Sequence, residues 1–293
     1  MRHIPSLRLV SLRFVSLRLV AIAIVLLGTP SLHAADVAGS TVDRVSKQVT
    51  TYLTNLADLL CRESVLQEKL TPNGHVDTFE RSNYEYFILI DGDKDNLQLT
   101  ESRVETSKTP RRPLPLLVTN GFSSLLLIFH PYYRDSFRFD AGAPEVIEGQ
   151  SLVPIHFRQI SNNRAPAALA VRGRQYTLEL TGTAWADART GQVFRMDASL
   201  ANDMTDIGLR SLHVQVNYAP TSRGPSQPDL VLPTLAVVDV ESRHQHWRNT
   251  HTFNSYKTFT ATAEQDPNVT VHTPASEDKA GQAAPASTTP SKP

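Results

Sequence analysis

Between residues 42 and 56, apolar side chains recur at Val42, Val45, Val49, Tyr52, Leu53 and Leu56. That three-and-four spacing places them on one helix face, and Ser40 or Thr41 stands where a cap is wanted. The pattern predicts an amphipathic helix of about four turns. After it the period shortens to two. Tyr84, Tyr86, Ile88 and Ile90 share one face of a strand, DGDKDN reads as a turn, and LQLTESRVE follows as a more polar strand, so the pair predicts a hairpin. SKTPRRPLPLL is too rich in proline for regular structure. TNGFSSLLLIFHPYY predicts a short apolar helix from about Gly121 to Phe129, capped by Asn120 and ended by Pro131.

From Arg134 onward the pattern predicts strands only. Phe137 and Phe139 share a face in DSFRFDA, as do Val153, Ile155 and Phe157 in SLVPIHFRQI. QYTLELTGTAWAD and QVFRMDASL follow, and LRSLHVQVNY aligns Leu212, Val214, Val216 and Tyr218. LVLPTLAVVDVES is apolar on both faces in its middle, and HTFNSYKTFTAT closes the series. The predicted class is α+β, mainly antiparallel β, with one apolar face on most strands.

The stretch LTGTAWADARTGQVFRMDASL, Leu180 to Leu200, reads as a hairpin. Asp187 suits the first position of a type I turn, and Gly191 suits the left-handed position of the bulge after it. This turn aligns Trp185 with Val193, Ala184 with Phe194 and Gly182 with Met196. Tyr176, Leu178, Leu180, Gly182 and Ala184 then share an apolar face with Phe194, Met196, Ala198 and Leu200. The opposite face carries Trp185 and Arg195, placed to stack.

The chain ends change the domain picture. Arg2, Arg8, Arg13 and Arg18 precede an apolar run from Leu19 to Leu27, and small residues follow to Ala34 and Ala35. That is the order of a secretory signal, and the run falls short of the ~20 residues a membrane span needs. Cleavage is expected after Ala34 or Ala35, giving a signal peptide over 1–35 and one domain over 36–263. Residues 264–293 are rich in Pro, Ala, Ser and Thr, and read as a disordered tail. The tail contains the sequon at Asn268. Cys61 is the only cysteine, so no internal disulfide forms, and it reads as a small buried hydrophobe before a reactive thiol. With 29 basic and 29 acidic residues the formal charge is zero, which argues against a nucleic-acid partner.

Chemistry is sparse. In ESRHQHWRNTH, His244 and His246 lie two apart, on one side of a strand, and are weak candidates for a metal pair. His251 falls on the opposite face unless a bulge intervenes. Ordinary edge-strand histidines are the alternative. Glu101, Arg103 and Glu105 alternate along one strand face and read as a solvated, salt-bridged surface. No nucleophile elbow, His-Glu-x-x-His, Cys-x-x-Cys or phosphate-binding glycine loop occurs, and no cofactor is expected.

The order of elements, together with GTAWADARTGQVFRMDASL, VNYAP, LPTLAVVDVES and RNTHTFNSYKTF, resembles the lipoprotein-sorting (LolA/LolB-like) carrier superfamily. The resemblance runs from about Val42 to Ala263. It implies a curved half-barrel sheet whose apolar face is covered by the N-terminal helix and the short second helix. If that cover is incomplete, a concave apolar cavity remains. The first functional expectation is therefore an exported, periplasmic or secreted carrier for a lipid, acyl chain or other apolar group, not transmembrane after signal cleavage. Its candidate lining is Tyr176, Leu178, Leu180, Phe194, Met196, Leu212, Val214 and Val216. The second is an envelope interaction or stress-sensor domain that binds a protein and keeps its interior filled. The third is a metal-dependent enzyme resting on His244 and His246.

Overall fold

The computed structural model describes residues 31–91, 98–106, 121–171, 174–223 and 229–259. The part of the expected signal peptide before Ser31, residues 92–96 of the expected turn with Leu97 after it, the proline-rich connection, Asn120 and the tail with Asn268 lie outside them.

The helix α1 spans Ser31–Asn55, and Val42, Val45, Val49, Tyr52, Leu53 and Leu56 are buried along it and just past its end. It starts well before the expected cap, so Ser40 and Thr41 lie inside it. Ala34, Ala35 and Ala38 are strong helix formers, and the helix runs on through Asp36 and Gly39. Three strands follow: β1 (Leu59–Leu70), β2 (Val76–Asp91) and β3 (Gln98–Glu105). A 3-10 helix covers Ser124–Phe129, and α2 covers Pro131–Arg134. The expected short helix is thus a tighter and later one. His130 adopts an extended conformation before Pro131 and separates the two helices.

The remaining strands are β4 (Phe137–Ala141), β5 (Glu145–Ile147), β6 (Gln150–Gln159), β7 (Ala168–Val171), β8 (Arg174–Thr177), β9 (Leu180–Asp187), β10 (Val193–Leu200), β11 (Leu209–Thr221), β12 (Leu230–Ser242) and β13 (His246–Thr258). The main sheet runs β3-β2-β1-β13-β12-β11-β10-β9-β6-β4, with β5 paired to β6, and it is open, curved and antiparallel. The strand β1 is absent from the period-two reading. Its inner face is Leu59, Cys61, Glu63, Val65 and Gln67, and two polar residues in the buried series hide the alternation. QYTLELTGTAWAD is not one strand either. It breaks at Leu178 and Glu179, and its first part pairs with β7 in a separate two-stranded ribbon.

The β9–β10 hairpin forms with a corrected register. Arg195 pairs with Trp185, Met196 with Ala184 and Ala198 with Gly182, and Phe194 occupies a bulge. Relative to the expected register the pairing moves by two residues, one at the turn, where Val193 pairs with Ala186, and one at the bulge, so Met196 and Ala198 keep the expected inward face. The turn chemistry is as expected. Asp187 Oδ1 accepts the backbone N–H of Arg189 and Thr190 at 2.9 and 2.7 Å, and Gly191 has φ of 75°. Burial would raise the Asp187 pKa. The hydrogen bonds from Thr190 and Arg189 and the Arg189 charge outweigh that effect and hold it below the ordinary carboxylate range. The turn docks on α1: a Cβ at Gly191 would lie 2.5 Å from the Arg44 carbonyl oxygen, and the Arg44 guanidinium donates to the Ala188 carbonyl.

Candidate functional site

The site is built on the inner face of the sheet. The helix α1 approaches one end of β9 and β10, at the Gly191 turn. At the other end of the same strands lies a cavity of about 530 Å³. Leu178, Leu180, Ala198, Leu212, Val214 and Val240 form one wall. Leu99, Thr100 and Glu101 of β3, together with Phe122, Ser124 and Leu125, form the facing wall. Leu169 and Pro166 close a third side. The volume lies in the range of small-ligand sites, and the lining is mainly aliphatic.

Among the expected lining residues, the structure brings Leu178, Leu180, Leu212 and Val214 to this cavity. Met196 and Val216 are cross-strand partners with no exposed surface and belong to the packed core. Phe194 sits at the bulge, away from the cavity. Tyr176 lies on β8, before the break, and lines a neighbouring cleft.

The facing wall is held by a carboxylate. Glu101 Oε1 accepts the Ser124 N–H and hydroxyl, each at 2.8 Å, while Oε2 accepts the Ser123 N–H at 3.3 Å and the Tyr86 hydroxyl. It thereby satisfies backbone donors at the start of the 3-10 helix. From the opposite side, Tyr218 donates to the Phe122 carbonyl at 2.7 Å. The Tyr86 and Tyr218 hydroxyls are raised well above their ordinary pKa, first by burial and then by the Glu101 charge. Both therefore stay protonated donors.

Behind Phe122 lies a buried ionic network. Arg103 Nε meets Glu63 Oε2 at 2.9 Å, its guanidinium lies over the Tyr84 and Tyr86 rings, and His251 Nδ1 donates to Glu63 Oε1 at 2.7 Å. The Phe122 and His251 ring centroids are 4.8 Å apart. Burial lowers the His251 pKa, the Glu63 contact opposes that shift, and Arg103 adds to it, with a lowered net value. The expectation of a solvated Glu101–Arg103–Glu105 face is corrected: Glu101 is buried and the Arg103 side chain is 7% exposed. The curvature of the sheet turns that face inward, and only Glu105 is exposed. No local signal marks Glu63, Arg103 and His251 as neighbours, because they come from β1, β3 and β13. The alternation through Leu59, Cys61, Glu63, Val65 and Gln67 is the one sequence feature that could have flagged Glu63 as inward.

Cys61 is buried, and its thiol is pushed up to about 12, chiefly by desolvation, so it is an inert packing group. The three histidines do not converge. His244 lies in the turn between β12 and β13 and not on a strand, His246 Nε2 meets Asp239 Oδ1 at 2.6 Å, and His251 faces inward. Among the described residues, no group of three or more His, Cys, Asp or Glu side chains is placed to hold a metal. No helix among them is long and apolar enough to cross a membrane.

No family model and no curated protein matches the chain. Solved structures resemble the chain at low identity. A DUF1329 family protein from Desulfovibrio piger is 10% identical, with TM-score 0.43, over 76% of this chain and 94% of the other. A LolA superfamily protein from Nitrosomonas europaea is 10% identical, with TM-score 0.35, over 78% and 94%. A putative outer membrane lipoprotein-sorting protein domain from Vibrio parahaemolyticus is 8% identical, with TM-score 0.41, over 79% and 97%. At that identity and those scores, function has to be argued from the residues of the cavity itself.

Proposed function

We propose that this protein is a non-catalytic binding or carrier protein of the bacterial envelope, exported to the periplasm, that holds an acyl chain or other apolar group. The observation that carries the reading is the 530 Å³ cavity, which is lined by aliphatic side chains and which α1 and the 3-10 helix leave open. Each methylene moved from water into it contributes ~0.8 kcal/mol, so a chain of modest length suffices for micromolar binding.

The test is purification of the exported protein without detergent, followed by lipid mass spectrometry against a mock preparation. A stoichiometric acyl species is expected. It should disappear in Leu212→Gln and Val214→Gln, positions that line the cavity yet are only partly buried, so both variants should stay folded. A wild-type protein that is folded, carries no lipid and takes none up from vesicles would defeat the reading and favour a partner-binding domain.

A further inference from the structure

Beside the apolar cavity lies a second, polar cleft of about 800 Å³, shaped by Arg174 and Tyr176 of β8, the Thr205–Gly208 loop, and the turn residues Arg243 and His244. We infer that the ligand carries an anionic head group, phosphate or carboxylate, which this cleft binds while the apolar part fills the cavity. The inference rests on the carrier reading above and names the ligand class.

Three chain segments pass directly from one space to the other. Tyr176 lines the cleft and Leu178 the cavity. Gly208 lines the cleft and Leu209 the cavity. Val240 lines the cavity, and Ser242 and Arg243 line the cleft. Steps of one to three residues along an extended chain span about 3–10 Å, so one amphiphile can occupy both spaces. The corner is held by the Arg243 N–H, which donates to the Gly208 carbonyl at 3.3 Å.

The charges favour an anion. Arg174, Arg243 and His244 are exposed, and none of them pairs with a carboxylate among the described residues. Asp206 is the one acidic side chain lining the cleft, against the two arginines Arg174 and Arg243. Guanidiniums offer paired N–H donors that match phosphate and carboxylate oxygens, and the Tyr176 hydroxyl adds a neutral donor. The arrangement also accounts for the ESRHQHWRNTH cluster. Its first histidine belongs to the cleft and its last to the buried network.

The experiment compares three probes by calorimetry on the full mature chain: dioctanoyl phosphatidylglycerol, dioctanoylglycerol without the phosphate, and glycerol 3-phosphate without the chains. Wild-type protein is expected to bind phosphatidylglycerol at least tenfold more tightly than dioctanoylglycerol, and glycerol 3-phosphate far more weakly than either. Arg174→Gln/Arg243→Gln, two surface changes, should erase the preference and leave dioctanoylglycerol affinity unchanged. Raised salt should narrow the gap in wild type only. Equal affinity for the two lipids, or a preference that survives in the double variant, overturns the head-group site and leaves the carrier reading standing. Glycerol 3-phosphate binding as tightly as the phospholipid overturns the link to the cavity. If neither lipid binds, both readings fall together.

Discussion

The inner face of the sheet has two halves that are buried alike and composed differently. One cross-strand row runs Ser82, Val65, His251, Ala236, Val216, Met196, Ala184 and Ile155, from β2 through to β6. A second runs Gln67, Asn249, Val238, Val214, Ala198, Gly182 and Phe157. In both rows the β1–β13 end carries polar side chains and the far end carries apolar and small ones. The far half is an ordinary core, with small residues opposite large ones. A Cβ on Gly182 would lie 1.9 Å from the Asp197 carbonyl oxygen and 2.8 Å from the Phe157 ring, so that close approach requires glycine. The near half buries Glu63, Arg103 and His251, and desolvating such groups is expensive unless each is paired. What the polar half provides is position. Glu101 and Tyr86 fix the start of the 3-10 helix and, with it, the cavity wall that the apolar half cannot hold by packing alone.

The comparison can be broken with one variant from each half. Arg103→Met leaves Glu63 buried without its cation and is expected to destabilise the fold by about 3–5 kcal/mol. Met196→Ala opens a void in the apolar half and is expected to lose about 2–5 kcal/mol. Adding Glu63→Met to Arg103→Met should recover much of the first loss and none of the second, as read by urea denaturation. If Arg103→Met alone changes stability by less than 1 kcal/mol, the network is not the buried ionic unit described above.

The halves should also differ in their response to acid. His251 is neutral in the fold because burial lowers its pKa, while in the unfolded chain it titrates at its ordinary value. The unfolded chain therefore takes up the proton first, and stability falls as pH drops below the ordinary imidazole range toward the lowered folded value. The slope contributed by one such group is at most about 1.4 kcal/mol per pH unit. His251→Gln should flatten that slope. An unchanged slope in His251→Gln would refute this assignment. Asp187 also loses its contribution in acid, as the pH falls through its lowered folded pKa, which separates its effect from that of His251.

The smallest effect lies on the outer face of the apolar half, where the Arg195 guanidinium sits 4.9 Å from the Trp185 ring centroid. Arg195→Gln is expected to lose about 0.5–1 kcal/mol. A loss as large as that of Met196→Ala would show that the outer face of this hairpin matters as much as its inner face.

Several features were legible in the residues because they are local. The α1 stripe, the strands β4, β6 and β10 to β13 and the Asp187–Gly191 turn each depend on spacing or on one residue's backbone preference, whereas β5 and β7 were not read and one expected strand divides into β8 and β9. Met196 and Ala198 stayed inward despite the register error, since a net shift of two residues, one at the turn and one at the bulge, preserves the face. The resemblance to half-barrel carriers supplied the open curved sheet. The strand β1 was missed because Glu63 and Gln67 stand at inward positions, and hydrophobic patterning has no means of seeing a buried charge. The candidate site was half legible for the same reason. Leu178, Leu180, Leu212 and Val214 follow from alternation, whereas the facing wall, the Glu101 clamp and the Arg174–Arg243 cleft each require strands distant in sequence to meet. Sequence alone therefore determined the elements and most of their apolar faces, which short-range periodicity encodes. Tertiary structure alone decided which polar residues lie inside and where the cover stops. Those outcomes depend on sheet curvature and on partners contributed by β1, β3 and β13, whose mutual distances no local pattern records.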